Sequence, residues 1–545
     1  MNQSGEFHTH DGIHYHTHDH EDAHVHSGEG EHHHNHSHTH DPQQVRAIVN
    51  RLKRSIGHLD KVRRMVEDGE DCADVLIQLS AVKSEINNTG KLILKQHMEH
   101  CIVEAVREND QTSIDKMNEA IDRFMKWYKG GKSMQAKYQI DTTENRKFLR
   151  DNAENILSFG HRFPSPGGGS YYLGDDGTPW KERPRETWIT SRMYHVYSIG
   201  TFLGHPGSEE LADAALKGLR GELHDAVNGG WYSGRTADDG ILPGKACYAH
   251  AFVILAASSA VLAGRPGAQE LLDEAIALYD KRFWNEEEGL SCDTWNTEFT
   301  ELDSYRGLNA NMHSVEAFLA AADVTGDEKF RVRAGRIIDH VLVWASGNNW
   351  RIPEHYSSDW VADLECNKDK PDDQFKPYGA TPGHGIEWSR LITQWALSTY
   401  GDDKEKAAKY INAAENLFNR AVSDGWNADG APGVVYTTDW DGKPVVHDRM
   451  HWTLAEAINT SACLYHVTGK KEYADKYAEF MQYLDEKVMD HVNGSWFHQL
   501  DRNNDLLTTV WPGKSDLYHA FQAMMIPYYA ADLSIAPAVK QGKKI

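Results

Sequence analysis

The chain has 545 residues and a formal net charge of −24, with 40% apolar and 25% charged residues. One hydrophobic core does not extend over such a length, so two or three folded units are expected. The acidic balance disfavours nonspecific binding of the whole chain to nucleic acid or to a membrane surface. Because no apolar run of about 18 residues, no secretion signal and no disulfide framework is found, we expect a cytoplasmic protein without a membrane span.

Residues 1–40 alternate histidine with aspartate, threonine, serine and glutamate, and they contain almost no aliphatic side chains. Such a composition cannot bury enough apolar surface to fold, so it predicts a disordered tail. Neutral imidazoles bind transition metals. Because an expression tag is usually an uninterrupted histidine block whereas this tract is interleaved, we interpret it as a metal-binding segment.

Residues 41–130 are predicted to be almost continuous helix. This segment contains Cys72, His97 and Cys101, and the last two lie four residues apart, so they share one face of a helix. Two thiolates and one imidazole suit Cu(I) or Zn(II), but three such residues can equally be buried without a ligand role.

The stretches RLKRSIGHLDKVRRMVEDGEDCADVLIQLSAVKSEINNTG and HMEHC resemble the all-helical metal-sensing repressors typified by CsoR. The resemblance implies a Cu(I) site, with Zn or Ni as alternatives, whose ligands Cys72, His97 and Cys101 come from different protomers of a homodimer or homotetramer. It also implies that operator DNA binds to basic residues of the first helix, although such charges alone would indicate a solvated face. The principal candidates are Arg46, Arg51, Arg54 and Arg64.

Residues 131–140 are predicted to be a linker, because paired glycines flanked by lysines begin the segment KGGKSMQAKYQ. Met134 lies inside this segment, so the downstream part could have begun there as an independent product. A fusion of two functional modules and read-through of two neighbouring genes are therefore both open.

Residues 141–540 repeat one pattern, in which a glycine-aromatic turn leads into an apolar helix that begins with aromatic or histidine side chains. These helices start at intervals of about 55 to 75 residues, near Tyr194, Tyr248, His313, Glu387, Trp452 and His519. Each is followed by a more amphipathic helix, and C-terminal caps are expected at Gly204, Gly264, Gly326, Gly401 and Gly469. Six inner and six outer helices predict an all-α fold with an (α/α)6 barrel.

The starts of the inner helices are expected to converge on one cavity at one rim of this barrel. His384 would then face His313, His519, Tyr248 and Arg192 across a shared pocket. Aromatic faces stack on sugar rings and forked donors bind hydroxyl groups, so the pocket suits a carbohydrate, although inner-barrel helices of any function would be aromatic.

Four motifs, WITSRMYHVYSIG, YRGLNANMHSVEAF, PYGATPGHGIEWSRL and WPGKSDLYHAFQAMMIP, resemble the N-acylglucosamine 2-epimerase superfamily. Within it they are more similar to the aldose-ketose isomerases that act on mannose or sulfoquinovose. The resemblance implies that His384 and His519 are the catalytic acid/base pair and that Glu387 contacts the substrate or orients His384. It further implies substrate-binding or ring-opening roles for Arg192, Tyr248, Asn309 and His313.

Isomerising a hexose requires ring opening, removal of the C2 proton, stabilisation of an enediolate and protonation of C1. Imidazoles that titrate near neutrality suit both proton transfers. Arg192 or a protonated histidine suits the enediolate charge. We therefore expect isomerisation through histidine acid/base catalysis without a cofactor.

Three alternatives stay open at this point. The barrel could be an N-acylglucosamine 2-epimerase or another sugar 2-epimerase, in which the proton returns to C2. The chain could instead be primarily a metal-responsive repressor with a sugar-binding or vestigial barrel. The hexose could be neutral or sulfonated, because Lys376 and Arg390 lie near the motifs, although such side chains are more often solvated.

Overall fold

A computed structural model of the chain describes residues 42–97, 135–401 and 403–544. The histidine-rich tail, Cys101 and the side chain of His97 lie outside the described residues. The chain divides into two compact units, Met1–Ser133 and Met134–Ile545. Within the described ranges, no helix has both the length and the apolar character needed to cross a membrane.

The described part of the first unit is a helical hairpin of α1 (Pro42–Glu67) and α2 (Cys72–His97). Val62 and Met65 of α1 and Val82 of α2 are buried between the helices. The Ser55 hydroxyl donates a hydrogen bond of 3.2 Å to Glu85 Oε2 across the hairpin. Apolar residues of α1 at helical spacing therefore hold the pair together, as the periodicity of the sequence predicts.

The second unit is an (α/α)6 barrel, which confirms the predicted fold class. The inner ring consists of α4 (Thr187–Leu203), α6 (Cys247–Leu262), α8 (Leu308–Thr325), α10 (Pro382–Tyr400), α12 (His451–Thr468) and α14 (Tyr518–Met525). The outer ring consists of α3 (Thr143–Phe159), α5 (Ser208–Arg220), α7 (Ala268–Arg282), α9 (Lys329–Gly347), α11 (Lys404–Gly425) and α13 (Lys471–Tyr483). Each inner helix contacts the next, and α14 contacts α4, so the inner ring is closed. A short C-terminal helix, α15 (Ile535–Gln541), packs against α4, α6 and α8.

The inner helices are buried on all sides. In α4, for example, every residue from Thr187 to Gly200 is buried. A helix that is apolar around its whole circumference is stable only inside a protein, whereas the outer helices have one polar face. Alternation of these two helix types in the sequence therefore encodes the two rings.

Four of the five predicted glycine caps have left-handed backbone conformations. The φ angles of Gly204, Gly264, Gly326 and Gly469 lie between 67° and 72°, a region that glycine adopts without steric cost. Gly401 is also the C-cap of its helix, α10, but its backbone stays right-handed, with φ at −49°. The first turn of the following helix, α11, is capped by the Asp403 carboxylate, which accepts a hydrogen bond from Lys406 N.

Short antiparallel strands line the rim at which the inner helices begin. The strands are β1 (Tyr172–Leu173), β2 (Pro179–Trp180), β3 (Arg185–Glu186), β4 (Gly234–Arg235), β5 (Ile241–Leu242), β6 (Lys245–Ala246), β7 (Trp284–Asn285), β8 (Leu290–Ser291), β9 (Thr294–Trp295), β10 (Arg306–Gly307), β11 (His355–Tyr356), β12 (Thr437–Thr438), β13 (Pro444–Val446), β14 (Arg449–Met450) and β15 (Gln499–Leu500). β3, β6, β10 and β14 directly precede inner helices, and they pair with β4, β9, β11 and β15 respectively. The same pairing thus recurs around the ring and fixes the start of four of the six inner helices.

The rim also repeats a buried ion pair that the sequence patterns did not predict. Lys245 Nζ lies 2.7 Å from Asp225 Oδ2, and Lys514 Nζ lies 2.6 Å from Asp490 Oδ2. Both aspartates belong to an Asp-x-Val-Asn-Gly turn. The Oδ1 atom of each aspartate accepts hydrogen bonds from the backbone N–H groups of the valine and the asparagine of its turn. Arg449 is paired with Asp429 in a similar way, at 2.7 Å. These pairs tie the turn that ends one hairpin to the segment that starts an inner helix.

Candidate active site

A cavity of about 440 Å³ opens at the rim where the inner helices begin. All seven residues that the sequence predicted for the sugar site line it, namely Arg192, Tyr248, Asn309, His313, His384, Glu387 and His519. They come from five inner helices, so the converging helix starts bring together residues that are more than 300 positions apart in the chain.

Aromatic side chains form much of the wall of the cavity. Trp452 lies between the two predicted catalytic imidazoles, with ring centroids 5.0 Å from His384 and 6.1 Å from His519. Phe375 stands at the mouth and packs edge-on against Tyr248 and Trp511. Flat apolar faces beside polar groups are suited to a sugar ring with its hydroxyls.

Each predicted catalytic imidazole is held by a carboxylate. His384 Nδ1 lies 3.0 Å from Glu354 Oε1, and His519 Nδ1 lies 3.1 Å from Glu456 Oε1. A carboxylate at Nδ1 fixes the tautomer that leaves a lone pair on Nε2. The carboxylate at His384 Nδ1 is thus that of Glu354, from the segment before β11, and the alternative role of Glu387, contact with the substrate, stays a prediction.

The guanidinium of Arg192 is buried at the wall of the cavity. Nη1 is paired with Asp516, and Nη2 donates a hydrogen bond of 2.9 Å to the Tyr248 hydroxyl. The guanidinium carbon lies 4.9 Å from the centre of the Trp188 ring. Burial opposes the charged form, but Asp516 together with the hydroxyls of Tyr248 and Tyr518 outweighs it and raises the pKa of Arg192. Arg192 is therefore a fixed cation whose charge is already balanced by one carboxylate.

Arg390 lies behind the cavity in a network of three carboxylates. Nε lies 2.7 Å from Glu456 Oε2, and Nη2 lies 3.4 Å from Glu387 Oε1 and 3.7 Å from Glu316 Oε1. Its side chain is 3% exposed. The structure therefore does not support binding of a sulfonate by Arg390, because its guanidinium already contacts three carboxylates. The other residue suggested for a sulfonate is Lys376, whose Nζ lies 3.6 Å from the centre of the Tyr305 ring.

Burial shifts the proton affinities of several groups in and behind the cavity. It lowers the pKa of His313 to about 4, and together with the Arg192 charge it lowers the pKa of His519 well below its ordinary value. Both imidazoles are therefore neutral at pH 7 and able to accept a proton. Burial and the neighbouring Glu456 raise the pKa of Glu387 well above that of an ordinary carboxyl group.

The supporting acids Glu354, Glu456, Asp516 and Glu316 were missed from the sequence. The burial of Glu456 in a polar network could have been predicted from the sequence. Histidines apart, Glu456 is the sole ionisable residue of the Asp, Glu, Lys and Arg types in the mostly apolar helix α12. A carboxylate is rarely buried without a partner, so such a residue indicates a polar network. The sequence does not show which imidazole it holds, since Glu456 and His519 are 63 residues apart.

The metal ligands predicted for the first unit are only partly described. Cys72 is exposed and is the first residue of α2, whereas His97 is the last residue of the same helix. At a rise of 1.5 Å per residue, their backbones are roughly 37 Å apart, so these two residues of one chain cannot bind one ion. Four exposed basic side chains lie along α1, as the DNA-binding prediction requires: Arg46, Arg51, Arg54 and Arg64.

Comparison with known proteins identifies relatives of both units. The N-acylglucosamine 2-epimerase family matches residues 168–523, and the metal-sensitive transcriptional repressor family matches residues 44–123. The D-mannose isomerase of Pseudomonas cannabina pv. alisalensis is 42% identical over 354 residues, which are 65% of this chain and 85% of that protein. The copper-sensing transcriptional repressor CsoR of Bacillus subtilis (strain 168) is 35% identical over 82 residues, 15% of this chain and 79% of that protein.

A solved structure shares the architecture of the second unit. The crystal structure of a D-mannose isomerase superposes with a TM-score of 0.64 at 26% identity, covering 70% of this chain and 97% of that chain. Both resemblances inferred from the sequence motifs are thereby confirmed. The chain belongs to the N-acylglucosamine 2-epimerase family, and it carries an N-terminal domain of the CsoR-type metal-sensitive repressors.

Proposed function

We propose that the barrel unit is a sugar isomerase that converts D-mannose into the corresponding 2-ketose through an enediolate. The observation that carries this proposal is the pair of imidazoles, His384 and His519, that line one cavity with their Nδ1 atoms held by carboxylates. The name of the 42% identical relative, a D-mannose isomerase, supports the choice of substrate.

In this proposal one Nε2 lone pair removes the C2 proton, and a protonated imidazole delivers a proton to C1. His519 suits the first step because its lowered pKa keeps it neutral. Each correctly positioned acid or base is worth about 10²–10⁴-fold in rate. Arg192 and the Tyr248 hydroxyl, which are joined by a hydrogen bond, would bind the sugar oxygens beside them.

The charge balance of the cavity favours a neutral hexose over a sulfonated one. Among the described residues that line it, Arg192 is the one permanent cation, and Asp516 already pairs with it. A sulfonate would need a cation of its own, because moving an unpaired charge into such a site is costly. Sulfoquinovose is therefore expected to react more slowly than mannose.

Proton NMR in deuterated water tests substrate and reaction together. The protein is incubated in turn with mannose, glucose, N-acetylmannosamine and sulfoquinovose. We expect a ketose carrying deuterium to form from mannose. A deuterated 2-epimer without ketose would instead assign the barrel to sugar 2-epimerisation, and no exchange with any sugar would contradict an enzymatic role.

For the first unit we propose a Cu(I)-responsive DNA-binding module that assembles as a homodimer or homotetramer. The separation of Cys72 and His97 along α2 supports ligands from different protomers. Thiolate and imidazole donors suit Cu(I), which would act as the signal that changes DNA affinity. A further support is a row of exposed apolar side chains at heptad spacing on α1, suited to a second copy: Val45, Val49, Leu52, Ile56, Leu59 and Val66.

Replacing Cys72 by alanine is expected to uncouple copper from DNA. In gel-shift experiments the unmodified chain should release operator DNA when Cu(I) is added, whereas Cys72→Ala should stay bound because the ligand set is incomplete. Isomerase activity should be equal in the unmodified chain and in Cys72→Ala. The matched control is Cys292→Ala, because Cys292 is a buried cysteine of the barrel unit. Absence of DNA binding by the copper-free chain would contradict the repressor role.

A further inference from the structure

The carboxylates around Arg390 outnumber the cations available to them. Glu316, Glu387 and Glu456 all lie within 3.7 Å of this one guanidinium. Ionisation of all three would leave two uncompensated negative charges in a region that is fully buried. Because an isolated buried charge is so unfavourable, such a group takes up a proton or a cation instead.

Neighbouring groups do not supply the missing positive charge. His313 Nδ1 is 3.5 Å from Glu316 Oε2, but burial lowers the pKa of His313 to about 4, so this imidazole is neutral at pH 7. Arg192 is committed to Asp516. At least one of the three acids must therefore be protonated unless a metal ion is bound.

The hydrogen bonds single out one acid. Both carboxylate oxygens of Glu456 accept hydrogen bonds, Oε2 from Arg390 Nε and Oε1 from His519 Nδ1. Glu316 accepts from the Tyr518 hydroxyl and from Gln522 Nε2. Glu387 receives one long bond of 3.4 Å from Arg390 Nη2, at Oε1, and its other carboxyl oxygen accepts none within the described part of the chain.

We propose that Glu387 carries a proton in the resting protein and passes it between the two oxygens of the sugar during isomerisation. This inference rests on the proposed function. Glu387 lines the same cavity as His384 and His519, so its acid group can contact the substrate directly. With Oε1 accepting from Arg390, the proton lies on Oε2, on the edge turned away from the guanidinium.

The proposed step is balanced without any added reactant. When an imidazole takes the C2 proton, the electron pair of the C2–H bond forms the C1=C2 bond and the C1=O1 π pair moves onto O1. The O1 atom of this enediolate takes the proton of Glu387. The Glu387 carboxylate then takes the proton of the O2 hydroxyl, and as the O–H pair forms the C2=O2 bond, the C1=C2 pair takes a proton from the imidazolium at C1. Both side chains thereby return to their starting states.

A metal ion is the competing way to balance these charges. One ligand atom each from His313, Glu316 and Glu387 lie within 4.8 Å of one another, which is close enough for a shared ion. The contacts favour the proton, because Arg390 and the Tyr518 hydroxyl already bind three of the four carboxylate oxygens of Glu316 and Glu387.

Infrared difference spectroscopy in deuterated water at neutral pH locates the proton. Subtracting the spectrum of Glu387→Gln from that of the unmodified full chain should leave a carbonyl band of a protonated carboxylic acid. Glu415→Gln is the matched control, since Glu415 is a buried carboxylate paired with Lys470 outside the cavity. Its difference spectrum should contain no such acid band.

Kinetics then test the transfer. Glutamine preserves the size and neutrality of the protonated acid, so KM should change by less than about twofold while kcat falls by about 10²–10⁴-fold. Absence of the acid band, or unchanged kcat in Glu387→Gln, would overturn the proposal. So would loss of activity with a chelator and its recovery with zinc or manganese. If mannose is not converted, the proposed function fails, whereas the band still reports where the proton resides.

Discussion

His519→Asn is expected to lower kcat for mannose isomerisation by about 10²–10⁴-fold, with a smaller effect on KM. The imidazole contributes a neutral Nε2 toward the cavity, and Glu456 holds Nδ1 at 3.1 Å. Asparagine retains a donor for Glu456 but has no basic nitrogen. His384→Asn should cause a loss of the same size, since Glu354 holds that imidazole in the same way.

The measurement is deuterium exchange at C2 of the sugar, followed by NMR together with ketose formation. His340→Asn is the matched control, because His340 stacks on Trp344 and hydrogen-bonds the carbonyl of Glu288, outside the cavity. Exchange at the normal rate in either His384→Asn or His519→Asn would remove that residue from the catalytic role. Loss of exchange in His340→Asn would mean that histidine loss acts through the fold.

The repeat pattern was enough to predict the barrel and the positions that face its cavity. Inner helices can be recognised in the sequence by apolar residues on every side. The cavity residues can then be predicted, because each lies in the first turns of such a helix. Arg192, Tyr248 and His519 thus converge although neither spacing nor composition links them directly. Knowing where a helix begins was sufficient to place them at one rim.

The partners of these residues could not be obtained in the same way. Glu354 lies in a connection, 30 residues before the histidine it holds, and Asp516 pairs with an arginine 324 residues earlier. Such pairs depend on the lateral packing of neighbouring repeats. A single sequence records the burial of an acid but carries no information on which base lies beside it.

The second large effect is expected at Lys514, in the segment that leads into α14. Its ammonium group donates 2.6 Å and 2.8 Å hydrogen bonds to Asp490 Oδ2 and to the Gly494 carbonyl, and its side chain is fully buried. Methionine has a similar length but leaves Asp490 without its cation. Breaking a buried ion pair on one side costs about 3–5 kcal/mol of unfolding free energy.

Urea unfolding followed by tryptophan fluorescence measures this loss, because 15 of the 16 tryptophans lie after residue 134. Lys147→Met is the matched control, since its pair with Asp151 is solvent-exposed and should contribute little. A double variant, Lys514→Met with Asp490→Asn, should recover part of the stability because no unpaired charge remains. Equal stability of Lys514→Met and Lys147→Met would contradict the role assigned to the buried pair.

The pH dependence gives an independent check on the same pair. Burial raises the pKa of Asp490, but Lys514 and the N–H groups of the turn outweigh it and lower the pKa to about 2. Since the unfolded value is about 3.9, the ionised pair stabilises the fold above that pH, and this contribution is lost as the pH falls toward 2. In Lys514→Met the pKa of Asp490 should rise, so the stability deficit relative to the unmodified chain should shrink on acidification. Lys245→Met should behave alike, because Lys245 and Asp225 repeat the same geometry at the start of α6.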